Sequence, residues 1–85
     1  MATVIESNPF ALVGSTTPTK YEAKRMLVGV EVTSGTFWIN GMGEINAQTP
    51  SLASGTKAWF ECEEGFWVAA ASGSDTAIVS MERLP

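Results

Sequence analysis

Lys57-Ala58-Trp59-Phe60-Glu61-Cys62, Phe66-Trp67-Val68-Ala69-Ala70-Ala71 and Thr76-Ala77-Ile78-Val79-Ser80-Met81-Glu82 are three apolar-rich runs, separated by Glu63-Glu64-Gly65 and Ser72-Gly73-Ser74-Asp75. Each run reads with period two and is bounded by turn chemistry, the pattern of strands. Glu63-Glu64-Gly65 suits a three-residue hairpin loop closed by Gly in the left-handed region, and Ser72-Gly73-Ser74-Asp75 suits a four-residue loop. The expectation is a three-stranded antiparallel meander in which Cys62 pairs with Phe66 and Ala71 with Thr76. Alternation then sorts the side chains onto two faces. One face collects Ala58, Phe60, Cys62, Phe66, Val68, Ala70, Ala77, Val79 and Met81, every one apolar, and is the expected core face. The other collects Lys57, Trp59, Glu61, Trp67, Ala69, Ala71, Thr76, Ile78, Ser80 and Glu82. In this register Trp59 lies opposite Ala69 and diagonal to Trp67, with Ile78 adjoining Ala69. Two Trp and an Ile on a nominally solvent-facing side are the most informative feature of the chain.

Upstream, Leu27–Thr33 and Thr36–Asn40 read as a second pair of strands joined at Ser34-Gly35. Val28, Val30, Val32, Phe37 and Ile39 fall on one side, while Leu27, Gly29, Glu31, Trp38 and Asn40 fall on the other, again with a Trp on the mixed side. The apolar face of this hairpin is suited to pack on the first, about 10 Å away in a sandwich. Asn8-Pro9, Thr17-Pro18, Asn40-Gly41, Thr49-Pro50 and Ser54-Gly55 add turns at short intervals. The fold class expected is all-β: a small antiparallel β-sandwich or barrel of about six to eight short strands, closed by the C-terminal meander. Residues 1–85 form a single domain, with residues 1–18 read as an extended N-terminal arm or an edge strand. In Pro18–Met26, Thr19 and Glu22 have capping-box spacing, which admits one helical turn before the strand-like run that follows.

Composition narrows function by exclusion. The chain has 85 residues, a net charge of −4, 16% charged and 45% hydrophobic residues, no His and one Cys. Disorder requires low hydrophobicity with high net charge, and a nucleic-acid footprint requires a basic surface; neither fits. Without His there is no His-dependent triad and no His-ligated zinc, and a lone Cys excludes an internal disulfide. A domain of this size buries only about 60–65% of its unfolded surface, and small folds commonly compensate with disulfides, metal or oligomerisation. The first two have no residues here, so oligomerisation or docking on a larger body is expected. Met1–Pro9 has neither the positive start nor the apolar run of a signal peptide, and no stretch approaches the ~18 apolar residues of a membrane span. Cytoplasmic synthesis is the expectation.

Groups that could carry chemistry read more simply as structure. Glu61, Glu63 and Glu64 are an acidic cluster, but they occupy a hairpin and its loop, where a solvated turn accounts for them. Asp75 sits at a turn-favouring loop position. Cys62, with no His and with expected neighbours Phe60 and Phe66, reads as a buried inert thiol. Gly41-Met42-Gly43 lacks the pattern of a phosphate loop. Lys20, Lys24 and Arg25 form a small basic patch consistent with ordinary surface charge. Trp38, Trp59 and Trp67 admit three readings: completion of the core, anchors of a protein–protein interface, or a sugar-stacking platform. For the last, only Asn40, Asn46 and Gln48 offer hydrogen-bonding company.

Small size, absent His, strands punctuated by Thr, Ser and Gly, and a closing stretch Gly65-Phe66-Trp67-Val68-Ala69-Ala70-Ala71-Ser72-Gly73-Ser74-Asp75-Thr76-Ala77-Ile78-Val79-Ser80 together resemble small tailed-bacteriophage structural proteins, most of all capsid decoration, or cement, proteins. The resemblance covers roughly Leu27–Arg83 and lies in these features jointly rather than in one diagnostic motif; it admits a small head or tail accessory component equally. It implies a virion protein, made in the host cytoplasm, that binds a major capsid protein or other large assembly as a trimer or dimer. It implies no catalytic residues, no cofactor and no metal.

The functional expectation is a non-enzymatic structural protein that oligomerises and cements a larger assembly. Trp38, Trp59, Trp67 and Ile78 are its candidate interface. No nucleic acid, membrane or small-molecule substrate is expected. The alternative is a carbohydrate-binding module or a small inhibitory protein-binding β module.

Overall fold

Turn residues recur at short intervals along this chain, and the β-branched and aromatic residues that fill the segments between them favour strands. In the computed structural model, which describes residues 2–85, eight strands form. They are β1 (Phe10–Val13), β2 (Thr19–Glu22), β3 (Met26–Ser34), β4 (Thr36–Asn40), β5 (Ser51–Ala53), β6 (Lys57–Cys62), β7 (Gly65–Ala70) and β8 (Thr76–Arg83). Among the described residues there is no helix; the stretch with capping-box spacing is strand β2.

The strands make two four-stranded sheets, a front sheet ordered β1-β8-β3-β6 and a back sheet ordered β2-β7-β4-β5. All ladders are antiparallel. This is a small β-sandwich, as the alternation and turn spacing imply. Its connectivity differs from the expected one. The runs at β6, β7 and β8 are strands, but they do not form a meander: β6 lies in the front sheet, β7 in the back sheet and β8 in the front sheet again. Cys62 is paired with Met26 rather than Phe66, and Thr76 with Val13 and Ser34 rather than Ala71. Likewise β3 and β4 are not a hairpin, since the chain passes from front to back sheet at Ser34-Gly35. Only β4 and β5 are neighbours both in sequence and in a ladder.

The physical reason is that an arch between facing sheets and a hairpin within one sheet both leave alternate side chains pointing at the core. Most of the expected core therefore survives the different pairing, although Ala58, Phe60 and Met81 are only partly buried and Ala69, expected on the mixed face, is buried. Val28, Val30 and Val32 of β3, Phe37 of β4, Cys62 of β6, Phe66, Val68 and Ala70 of β7, and Ala77 and Val79 of β8 are all buried, joined by Leu12 of β1. Phe60 stands edge-on to Phe66, with ring centroids 5.6 Å apart, and joins the two layers. Tyr21 stacks on Phe66, also at 5.6 Å.

Two arches are tied by one carboxylate. Asp75, 7% exposed, accepts hydrogen bonds at Oδ2 from the Thr36 N–H (3.3 Å) and the Ser72 N–H (3.1 Å). It lies directly over Gly35, whose φ of 81° is in the left-handed region and whose missing Cβ leaves room for the carboxyl group. A residue legible only as a turn former is thus the buried bracket between the β3–β4 and β7–β8 corners.

Within residues 1–18, β1 is an edge strand of the front sheet. The chain before it folds back on its own back sheet, where the Thr3 N–H donates to the Lys20 carbonyl and the Thr3 carbonyl accepts from the Glu22 N–H, both at 2.8 Å. The Asn8 side chain extends the β1 ladder by exchanging two hydrogen bonds with the Met81 backbone, at 2.8 and 3.0 Å.

Candidate interaction surface

Because β6 and β7 belong to opposite sheets, the aromatic residues expected on one outer face are divided between two. On the front sheet, β3 runs between β6 and β8, and the ladders place Gly29 between Trp59 and Ser80, and Glu31 between Lys57 and Ile78. Trp59 is 63% exposed and Ile78 43% exposed. Ala11 of β1 is the register partner of Ile78, and Val13 beyond it is 64% exposed. The front face thus carries an apolar band from Val13 through Ile78 to Trp59, crossed by the polar pair Glu31 and Lys57. Their charged atoms are 4.0 Å apart on exposed side chains, a geometry that contributes little to stability.

Trp59 also has a structural task. A Cβ on Gly29 would run into Cε3, Cζ3 and Cη2 of the indole, so the six-membered ring lies over the glycine backbone. A strand glycine offers no side chain to pack, and a cross-strand aromatic closes the gap. One part of the indole is therefore structure and the remainder is surface.

On the back sheet, Trp38 of β4 is the register partner of Ala69, which is itself buried. Trp67 of β7 stands between Lys20 of β2 and Asn40 of β4. Both indoles are half-buried. Trp38 and Trp67 share this back face, diagonal to one another across the β4–β7 ladder, while Trp59 and Ile78 share the front. The expected adjacency of Trp59 and Trp67, and of Ile78 and Ala69, does not occur, because it required all three C-terminal strands to be in one sheet.

The other groups singled out from the sequence are placed as follows. Glu61, Glu63 and Glu64 are exposed. Cys62 is buried and its thiol points to the Met26 carbonyl at 3.8 Å. Burial pushes the thiol's pKa up, the Met26 contact opposes this, and the nearby Glu63 charge adds to the rise. Burial likewise raises the Tyr21 hydroxyl. The basic residues regroup: Lys20 lies beside Trp67 in an open cleft of about 510 Å³ that also includes Met42, Glu63 and Glu64. Lys24 and Arg25 instead share a second open cleft of about 530 Å³ with Arg83, Met26, Met81 and Leu84. Arg83 was not legible as part of any patch, because β8 returns to β3 from the far end of the sequence. Among the described residues, no group of three or more His, Cys, Asp or Glu is placed to hold a metal ion, and no helix is long and apolar enough to cross a membrane.

No protein-family model matches the chain, and neither does any curated protein or solved structure.

Proposed function

We propose that this chain is a non-enzymatic structural protein that self-associates and cements a larger assembly, with the outer shell of a tailed-phage capsid as the favoured setting. The observation carrying this reading is that both outer faces of the sandwich present indoles: Trp59 with Ile78 and Val13 on one, Trp38 with Trp67 on the other. A small monomer with one apolar patch has a use for one partner. Apolar surface on opposite faces suits a bridging element, one face meeting another copy and the other meeting the lattice it staples. Trp is enriched among residues that dominate interface energies, and fully removing such a side chain from water contributes about 2–3 kcal/mol before the costs of ordering. The capsid setting itself rests on the resemblance in size, composition and strand style described above.

The test is the company the protein keeps. The expected result is co-purification with an icosahedral particle, at a copy number that is a fixed ratio to the major shell subunit. Fractionation away from particles, together with a tryptophan fluorescence change on adding oligosaccharides, would replace this reading with the carbohydrate-binding one.

A further inference from the structure

The front sheet ends on β6, a six-residue edge strand. The other edges differ. β2 is capped by Thr3 of the same chain, β5 has three residues, and β1 has four and follows Pro9. The hydrogen-bond phase of β6 follows from its ladder with β3. Val32 N–H donates to the Thr56 carbonyl at 3.0 Å, and the register continues through Val30↔Ala58, Val28↔Phe60 and Met26↔Cys62. Those residues of β6 turn their backbone groups toward β3. Lys57, Trp59 and Glu61, which alternate with them, turn N–H and C=O outward along the free edge.

We infer that β6 pairs antiparallel with β6 of a second copy, centred on Trp59, so that two front sheets join into one continuous sheet. This register is self-complementary at every position. Trp59 meets Trp59 of the second copy on the outer face, and Lys57 meets Glu61 with Glu61 meeting Lys57. On the inner face, the large Phe60 meets the small Ala58 and the reverse. The residues brought opposite one another as hydrogen-bonded pairs are those whose groups point outward. A slip of two residues in one direction sets Lys57 opposite Trp59, and in the other sets Trp59 opposite Glu61 and leaves Lys57 facing only Glu63, beyond the end of β6. Nothing competes strongly for the lysine, since its intrachain partner Glu31 is 4.0 Å away and both side chains are exposed. The β4–β5 connection lies against the Glu61 end of the edge, where a Cβ on Gly41 would stand 2.6 Å from the Phe60 ring and 3.4 Å from the Glu61 carbonyl, so the pairing requires this connection to draw aside there. An unpaired edge of this kind is a ready template for another strand, and cross-strand charge pairs and aromatic pairs set its register.

This inference rests on the proposed assembly role and names the surface that mediates self-association. Its test is a charge exchange read by sedimentation velocity at low ionic strength, where surface ion pairs are least screened. Both Lys57 and Glu61 are exposed, so Lys57→Glu and Glu61→Lys are expected to fold, which circular dichroism checks. Each single variant sets like charges opposite each other at both ends of the paired edge, and self-association is expected to weaken roughly tenfold or more. An equimolar mixture of the two variants restores complementarity at both ends and is expected to form the heterodimer. The double variant K57E/E61K is expected to associate like the unaltered chain. If the unaltered chain self-associates and both single variants do so equally well, the β6 pairing is overturned while the assembly role stands. If the unaltered chain remains monomeric throughout, the pairing is overturned, and co-purification with particles alone decides the broader reading.

Discussion

The indole of Trp59 lies across the backbone of Gly29, its cross-strand partner, so that the most exposed tryptophan-bearing strand is locked to the centre of the front sheet by the one residue that has no side chain. The pair makes stability and interaction share a residue. Gly29→Ala should displace the ring and cost about 1–3 kcal/mol, as overpacking does. In a Trp59→Ala background, the same Gly29→Ala change should be neutral or stabilising by about 0.5–1 kcal/mol, since alanine loses less chain entropy than glycine. Urea midpoints of the four proteins check this, and additive effects would show that the ring does not occupy the space above Gly29.

Trp59→Ala by itself should leave a folded chain, less stable by about 1 kcal/mol because a cross-strand aromatic contact is lost. Its larger effect should fall on self-association. Trp38→Ala should instead spare self-association and weaken attachment to a particle, since Trp38 lies on the opposite face. Sedimentation velocity and particle pelleting, run on both variants, separate the two; identical losses in both assays would contradict a division of labour between the faces.

Asp75 brackets two arches through buried hydrogen bonds to the Thr36 and Ser72 amides. Asp75→Ala leaves both donors without their acceptor and should cost about 2–3 kcal/mol. Asp75→Asn keeps one acceptor oxygen and should cost less. Gly35→Ala should be damaging on two counts, the positive φ and the overlap with the Asp75 carboxyl. Thermal unfolding of the three variants provides the ranking.

Ionisation of Cys62 is opposed in the folded chain, where burial raises the thiol above its ordinary 9.0. A group whose folded pKa is raised contributes stability that is fully present below the unfolded pKa and is lost as pH rises through the folded value. Stability should therefore be level, as far as this thiol is concerned, up to about its ordinary value of 9.0, and decline above it. Tyr21, raised from 10.0, adds to the decline at higher pH. Cys62→Ala should remove the first part of the alkaline loss, measured as urea midpoints across the alkaline range. The native thiol should react with a disulfide reagent only at the rate of local opening.

The buried set shows how far local pattern reaches. Val28, Val30, Val32, Phe37, Cys62, Phe66, Val68, Ala70, Ala77 and Val79 are inward because side chains alternate along each strand, and alternation is a property of the strand alone. It holds whether Glu63-Glu64-Gly65 turns the chain within a sheet or carries it across to the facing one. That same indifference hid the interaction surface. Trp59 and Trp67 are both outward by alternation, yet which outside each occupies depends on the sheet its strand joins.

From the residues alone came the all-β class, the short strands and the division of each strand into an apolar and a mixed face. Pairing was decided only when β3 took its place between β6 and β8, and β7 between β2 and β4. Those ladders join segments distant in sequence, and their choice is made by how whole faces pack rather than by any local signal. Hence the bracket formed by Asp75, the cover of Trp59 over Gly29 and the open edge of β6 belong to the tertiary structure. The period-two arrangement of greasy side chains, which made a two-layered body necessary, was present in the chain from the start.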